Sequence, residues 1–252
     1  MKMKALVLAL LLAAPMTAAH AAPADVAAAV ATAGRPAEAT KLDESRKPAE
    51  VLAFLGLEQG DRVLDLFTGG GYYAEIMAKA VGPQGAVVAW EPANFIDEAG
   101  TRNFEALQGR APNVDLLVSP ADALSLPERS FDFVLMHMIY HDLYWESEEY
   151  RFPRVDPDAA LTEVFAAVKP GGTVGVVDHV AAPGGDTREV VAKLHRIDPA
   201  VVRADFERAG FLFDGESALL RNPADDHAKL VFDPAVRGKT DRIVYRFRKP
   251  EA

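Results

Sequence analysis

Four of the six histidines of this chain fall where apolar runs end or in the segments that follow them: His137, His141 next to Asp142, His179 next to Asp178, and His195 three residues before Asp198, while His227 lies in a polar loop-like stretch. Imidazole titrates near neutral pH. Oriented by a carboxylate, it can take a proton from an attacking nucleophile. That makes His141, Asp178, His179, His137 and His195 candidates for acid/base work. A second reading is a metal shell. His137 and His141 share a face if their segment is helical, with Asp178, His179 or His195 completing a set suited to zinc, manganese or iron. The spacing contains no compact motif such as His-Glu-x-x-His, so no metal is assigned. A third reading is structural, with the rings satisfying backbone groups at strand ends.

A ligand cradle is clearer than the acid/base set. In Val63-Leu-Asp-Leu-Phe-Thr-Gly-Gly-Gly-Tyr-Tyr73, an apolar strand around Asp65 runs into three glycines and then a helical stretch, Ala74 to Ala80. Strand, glycine turn and helix in that order make the crossover that cradles a nucleotide-type ligand. Glycine permits positive φ and close approach of the backbone. A second strand, Ala86 to Trp90, ends in Glu91, 20 residues past Gly71. A carboxylate there can accept hydrogen bonds from both ribose hydroxyls.

These residues resemble the class I S-adenosylmethionine (SAM)-dependent methyltransferases. That family carries an acid-x-Gly-x-Gly-x-Gly turn after its first strand. Asp65, Gly69 and Gly71 match it, while Phe67 stands where the first glycine belongs. Val118-Ser-Pro-Ala-Asp122 resembles the loop whose acid meets the adenine amino group. Ser130 to Met136 resembles the fourth strand, and Val168-Lys-Pro-Gly-Gly172 the turn before the fifth. The resemblance covers about residues 45–250. It implies SAM as cofactor, held by Asp65, Thr68, Gly69, Gly70, Gly71, Tyr72, Glu91, Asp122 and Ala123. It also implies methyl transfer to a small or medium acceptor. Within the family the chain looks most like an exported group of "predicted methyltransferases", through Gly69-Gly-Gly-Tyr-Tyr73, His195-Arg-Ile-Asp198 and Arg237-Gly-Lys-Thr-Asp241.

The elements that must position these residues follow from the pattern. Strand candidates fall at 62–67, 86–90, 114–118, 132–137 and 173–178, with helices near 72–81, 94–109, 157–168 and 199–209. Alternation of this kind argues for a parallel sheet covered on both faces. Phe211 to Leu220 and Asp241 to Phe247 are strand-like with no crossover helix between them, so they should pair antiparallel. The expected fold is therefore α/β: a Rossmann-like, doubly wound sheet of seven strands, mostly parallel, with an antiparallel last strand. In such a sheet ligands bind at the carboxyl ends of the strands, where the four histidines fall. Gly238-Lys-Thr240 is not a phosphate loop, because Asp233 occupies the position of the required glycine.

Composition bounds the partners. Half of the 252 residues are hydrophobic and a quarter charged, which is globular composition. There are 37 acidic against 27 basic residues, a formal net charge of −10. That disfavours a nucleic-acid partner, which needs a basic surface, and leaves a small-molecule substrate. Lys2 and Lys4 precede an apolar run, Ala5 to Ala14, and Ala19-His-Ala21 offers a cleavage site. This is a signal-peptide pattern over residues 1–21. It implies export, to the periplasm in a two-membrane cell, and no stable membrane span after cleavage. Residues 22–45 read as an N-terminal extension and 46–252 as the methyltransferase-like domain. The chain has no cysteine, which excludes disulfides. The pattern leaves the oligomeric state open. Two alternatives to methyl transfer fit the same residues: a non-catalytic binder of a nucleoside-like or other small ligand, and a metal-dependent enzyme built on the His/Asp cluster.

Overall fold

The computed structural model describes residues 21–251, so the proposed signal peptide lies almost wholly outside the described residues. Four short helices come first: α1 (Val26–Val30), α2 (Ala37–Thr40), α3 (Asp43–Arg46) and α4 (Pro48–Leu55). Then strands and helices alternate through β1 (Arg62–Leu66), α5 (Tyr72–Val81), β2 (Ala86–Pro92), α6 (Glu98–Arg110) and β3 (Val114–Ser119). The second half holds β4 (Phe131–His137), α7 (Pro157–Ala167), β5 (Val168–His179), α8 (Thr187–Leu194), α9 (Pro199–Arg208), β6 (Leu212–Glu216) and β7 (Arg242–Arg248). Among the described residues no helix is long and apolar enough to cross a membrane.

The strands form one sheet in the order β3-β2-β1-β4-β5-β7-β6. The first five are parallel to their neighbours, and β7 runs antiparallel to both β5 and β6. Strand order reverses between β1 and β4, and that switch point opens a crevice at their carboxyl ends. Successive residues point to opposite faces, so each strand feeds two cores. Leu64, Leu66, Val134, Met136 and Phe247 enter one layer, while Val63, Leu135, Val177 and Val244 enter the other with Leu52, Leu55, Ile76 and Met77.

Local chemistry sets the helix ends. Asp97, Asp156, Asp186 and Asp198 cap α6, α7, α8 and α9 by accepting hydrogen bonds from backbone N–H groups in the first turn. Proline follows the cap in α7 and α9, where its missing N–H costs nothing. α8 has no counterpart among the expected helices; its apolar stripe is too short to stand out from the loop before Asp198. The segment after β4 is not an α-helix. It turns as a single 3-10 element, Tyr140–Tyr144, so His137 and His141 do not share a helical face as the metal reading required.

Residues 22–46 pack onto the domain. Val26 and Ala29 join the core beside α5. Arg35 is buried, and its guanidinium donates to both oxygens of Asp43 at 2.8 Å.

The tightest backbone requirement sits at Gly71, which precedes α5 with φ +75°. A Cβ there would overlap Leu107 Cδ1 and come into ordinary contact with Phe104. Gly71→Ala combines left-handed strain with overpacking and should cost about 1–3 kcal/mol. Urea unfolding would show it as a lower midpoint at unchanged slope; an unshifted midpoint would mean that α6 yields freely.

Candidate functional site

The glycine turn is held from below by carboxylates. Thr68 Oγ1 donates to Asp65 at 2.6 Å, and Gly69 N–H donates to Glu91 at 2.8 Å. The backbone N–H of Ala74 also bonds Asp65, tying β1 to the first turn of α5. Phe67, Gly69 and Gly71 all take positive φ, at 57°, 58° and 75°. The residue in place of the family's first glycine thus adopts a glycine conformation, at a steric cost for a side chain. Its ring is fixed edge-on against Trp90, centroids 4.7 Å apart, and near Phe152.

Above the turn lies a cavity of about 820 Å³. Its floor is Asp65 and Phe67 to Tyr73; His137, Met138 and Ile139 form one wall, and Asn103, Ala106 and Arg110 another. The N-terminal segment roofs it with Pro36, Glu38, Ala39, Leu42 and Arg46. Asp43 fastens this roof, accepting from the Tyr72 hydroxyl at 2.6 Å as well as from Arg35. A second hollow of about 610 Å³, between α1 and the end of α5, lacks the glycine turn and the buried carboxylates.

Burial dominates the electrostatics. Desolvation pushes Asp65 up to about 7 against the hydrogen bonds from Thr68 and Ala74. Desolvation likewise pushes Glu91 up to about 7, against its bond from Gly69 and with help from the charge on Asp65. Neither carboxylate has an ion-pair partner among the described residues.

The proposed acid/base residues divide into two groups. His137 ends β4 and lines the cavity, its ring 4.5 Å from that of Tyr73. His141, His179 and His195 gather around Asp178 at the ends of β5 and α8 and are absent from the cavity lining. Asp178 is fully buried. Its carboxylate accepts from the backbone N–H of His141 and of His179 and faces His141 Nδ1 at 2.7 Å. Burial would lower His141, but Asp178 and Asp142 outweigh it and raise it to about 9. Burial lowers His179 to about 3 and His195 to about 4. The arrangement ties the turn after β4 to the end of β5. Among the described residues no group of three or more His, Asp or Glu side chains has a metal-holding arrangement.

Asp122 and Ala123 form an exposed 3-10 turn after β3 and do not line the cavity; Glu91 does not line it either, being buried beside the turn against Gly69 N–H. Tyr140 and Tyr144 send their hydroxyls to Asp205 on α9, anchoring the turn instead of facing a ligand. Arg46, Met138 and Ile139 have no counterpart among the sequence candidates, since only the folded roof and the left-handed Met138 bring them to the cavity. A weak signal existed for Arg46: it directly precedes the Lys47-Pro48 helix start.

Residues 63–172 match the family described as "Methyltransferase domain". The ubiquinone/menaquinone biosynthesis C-methyltransferases of Pasteurella multocida and Hydrogenovibrio crunogenus are 28% and 30% identical over 123 residues, 49% of this chain. The match covers 41% and 44% of those enzymes, so the chain spans less than half of their length. A SAM-dependent methyltransferase structure from Aquifex aeolicus superposes with TM-score 0.58 at 24% identity, over 84% of this chain and 97% of that one. The chain shares the Rossmann-like α/β fold of that structure, a mostly parallel seven-stranded sheet.

The raised carboxylates make the ligand-free protein pH-sensitive. Both acids hold their protons more tightly folded than unfolded. Their contribution to stability is therefore full below about pH 4 and is lost as pH rises through about 7, with a size on the order of 3 kcal/mol for each. Asp65→Asn and Glu91→Gln should each flatten the decline in stability between about pH 4 and 7. Parallel pH profiles for wild type and variants in chemical denaturation would contradict this electrostatic account.

Proposed function

We propose that this chain is a SAM-dependent methyltransferase acting on a small or medium acceptor. The observation that carries the reading is the pair of buried carboxylates, without cationic partners, on either side of a glycine turn at a sheet switch point. The matches to the methyltransferase domain and to SAM-dependent enzymes support the same cofactor.

The donor set fits that ligand. Glu91, at the end of β2 beside the turn and outside the cavity lining, spends one oxygen on Gly69 N–H and keeps acceptor capacity that we assign to the ribose hydroxyls. Asp65 faces the cavity floor, where a carboxylate suits the ligand's ammonium. The open side of Gly69 lets the backbone come close to a ligand. Bound there, SAM supplies a methyl group made electrophilic by its sulfonium. The chain supplies position and dryness. Phe67, Met138 and Ile139 close the β4 side with apolar surface, and the N-terminal roof limits water above the turn. Holding donor and acceptor in line provides much of the rate gain in such a displacement. Asp178 with His141 acts one layer back, fixing the turn that carries Ile139.

The finer likeness to exported methyltransferases supports a periplasmic protein. Lys2, Lys4 and the apolar run after them motivate this part of the reading. N-terminal sequencing of the expressed protein should begin near Ala22; recovery of intact Met1 chains from the cytoplasm would sink it.

Calorimetry of the mature chain with SAM tests the core of the proposal. Binding should tighten between about pH 6 and 8, as Asp65 and Glu91 ionise to meet a cation. Glu91→Ala should weaken binding by about 1–3 kcal/mol, the range for hydrogen bonds to a charged group. No heat of binding in wild type, or undiminished affinity in a folded Glu91→Ala protein, would remove the assignment.

A further inference from the structure

Charges of both signs line the cavity; Glu75 pairs with Arg110 and Glu38 with Lys41, which leaves Asp65 and Arg46 without an ion-pair partner among the described residues. Asp65 lies on the cavity floor, while Arg46 enters from the roof. Its guanidinium lies over the ring of Tyr72, 4.5 Å from the centroid, which gives it packing; the carboxylates of Asp65 and Asp43 favour its charge from a distance without bonding it. Two more groups stand in the same electrostatic neighbourhood. Arg242, at the start of β7, is almost fully buried, and its Nη2 donates to the carbonyl of Ser45 at 2.7 Å. That bond anchors the residue just before Arg46. Arg242 Nε and His137 Nε2 are both buried without a hydrogen-bond partner among the described residues.

These groups press on one another. Burial chiefly, then the charges of Arg46 and Arg242, hold His137 well below its ordinary value, so it stays neutral. Burial lowers Arg46 and also Arg242, which Arg46 lowers further. Clustered cations in a desolvated place, unmatched by a bonded acid, are costly until an anion arrives. A planar guanidinium donates in a fork that matches a carboxylate.

We propose that Arg46, positioned by Arg242 and flanked by His137, is a carboxylate subsite at the β4 end of the cavity. The inference rests on reading this cavity as the methyl-transfer site. Two ligands could bring the carboxylate: the amino-acid end of SAM, or an acidic acceptor.

The test compares SAM with decarboxylated SAM, and benzoate with benzamide, by calorimetry on wild type, Arg46→Gln and Arg46→Lys. Thermal melts establish that the variants fold, and Arg46→Lys keeps the charge if Arg46→Gln does not fold. If the cofactor supplies the group, wild type should prefer SAM over the decarboxylated form about tenfold or more, the scale of a hydrogen bond to a charge. Arg46→Gln should erase that preference, and Arg46→Lys should retain part of it. If the acceptor supplies it, the two adenosyl ligands should bind alike. Benzoate, unlike benzamide, should then bind the SAM-loaded wild type and be lost in Arg46→Gln. Wild type with neither preference, or preferences that survive in Arg46→Gln, would overturn the subsite. Should neither adenosyl ligand bind wild type, the methyl-transfer reading fails, and the benzoate–benzamide difference in the ligand-free protein alone decides the subsite.

Discussion

The hydrogen bond from Gly69 N–H to the buried carboxylate of Glu91 holds the rest of the site in place. It ties the end of β2 to the turn after β1 across the sheet. Three residues of that turn, Phe67, Gly69 and Gly71, sit in the left-handed region, which a free chain visits rarely. A strained turn persists only where its surroundings over-determine it. Here Thr68 is pinned to Asp65 by its side chain and to Trp90 by its backbone, and Phe67 is wedged against Trp90 and Phe152. Release of the carboxylate would free the turn, and with it the start of α5 and the cavity floor.

That constraint has an electrostatic cost. Two carboxylates kept from water without bonded cations are expensive in the charged form. Their proton affinities rise to near neutrality as a result. A cationic ligand would offset the cost by keeping them ionised, while a neutral or anionic one would not. The roof contributes Arg46, so the cavity holds an acid below and a base above that lack ion-pair partners among the described residues. A zwitterionic ligand end suits that polarity better than a simple nucleoside does.

The second half of the sheet works as a frame. Asp178 gathers the backbone of His141 and His179, and Asp205 gathers the hydroxyls of Tyr140 and Tyr144. Between them they hold the turn after β4 against β5 and α9. Arg196 and Asp225, both fully buried in their side chains, clasp the long loop before β7 onto the end of β5. Removing one partner of such a pair leaves a buried charge uncompensated, so the loop and the β5 end are coupled.

Local patterns along the chain encode the layers and the turn. Alternating apolar runs reveal β1 to β5, because a buried parallel strand needs a continuous hydrophobic stretch. The missing crossover helix before β7 predicts its antiparallel course. The placement of Asp65, Gly69, Gly71 and Glu91 around one turn was legible because it depends on spacing along one βαβ unit. Tertiary structure decided what spacing does not encode. It separated His137 from His141, since a left-handed Met138 and a 3-10 turn break the helical periodicity their pairing assumed. It left Asp122 exposed at the edge of the sheet. It brought Arg46 over Tyr72 and Arg242 beneath Ser45, positions nearly 200 residues apart. Contacts of that kind arise from how the roof settles on the sheet, and no local pattern announces them.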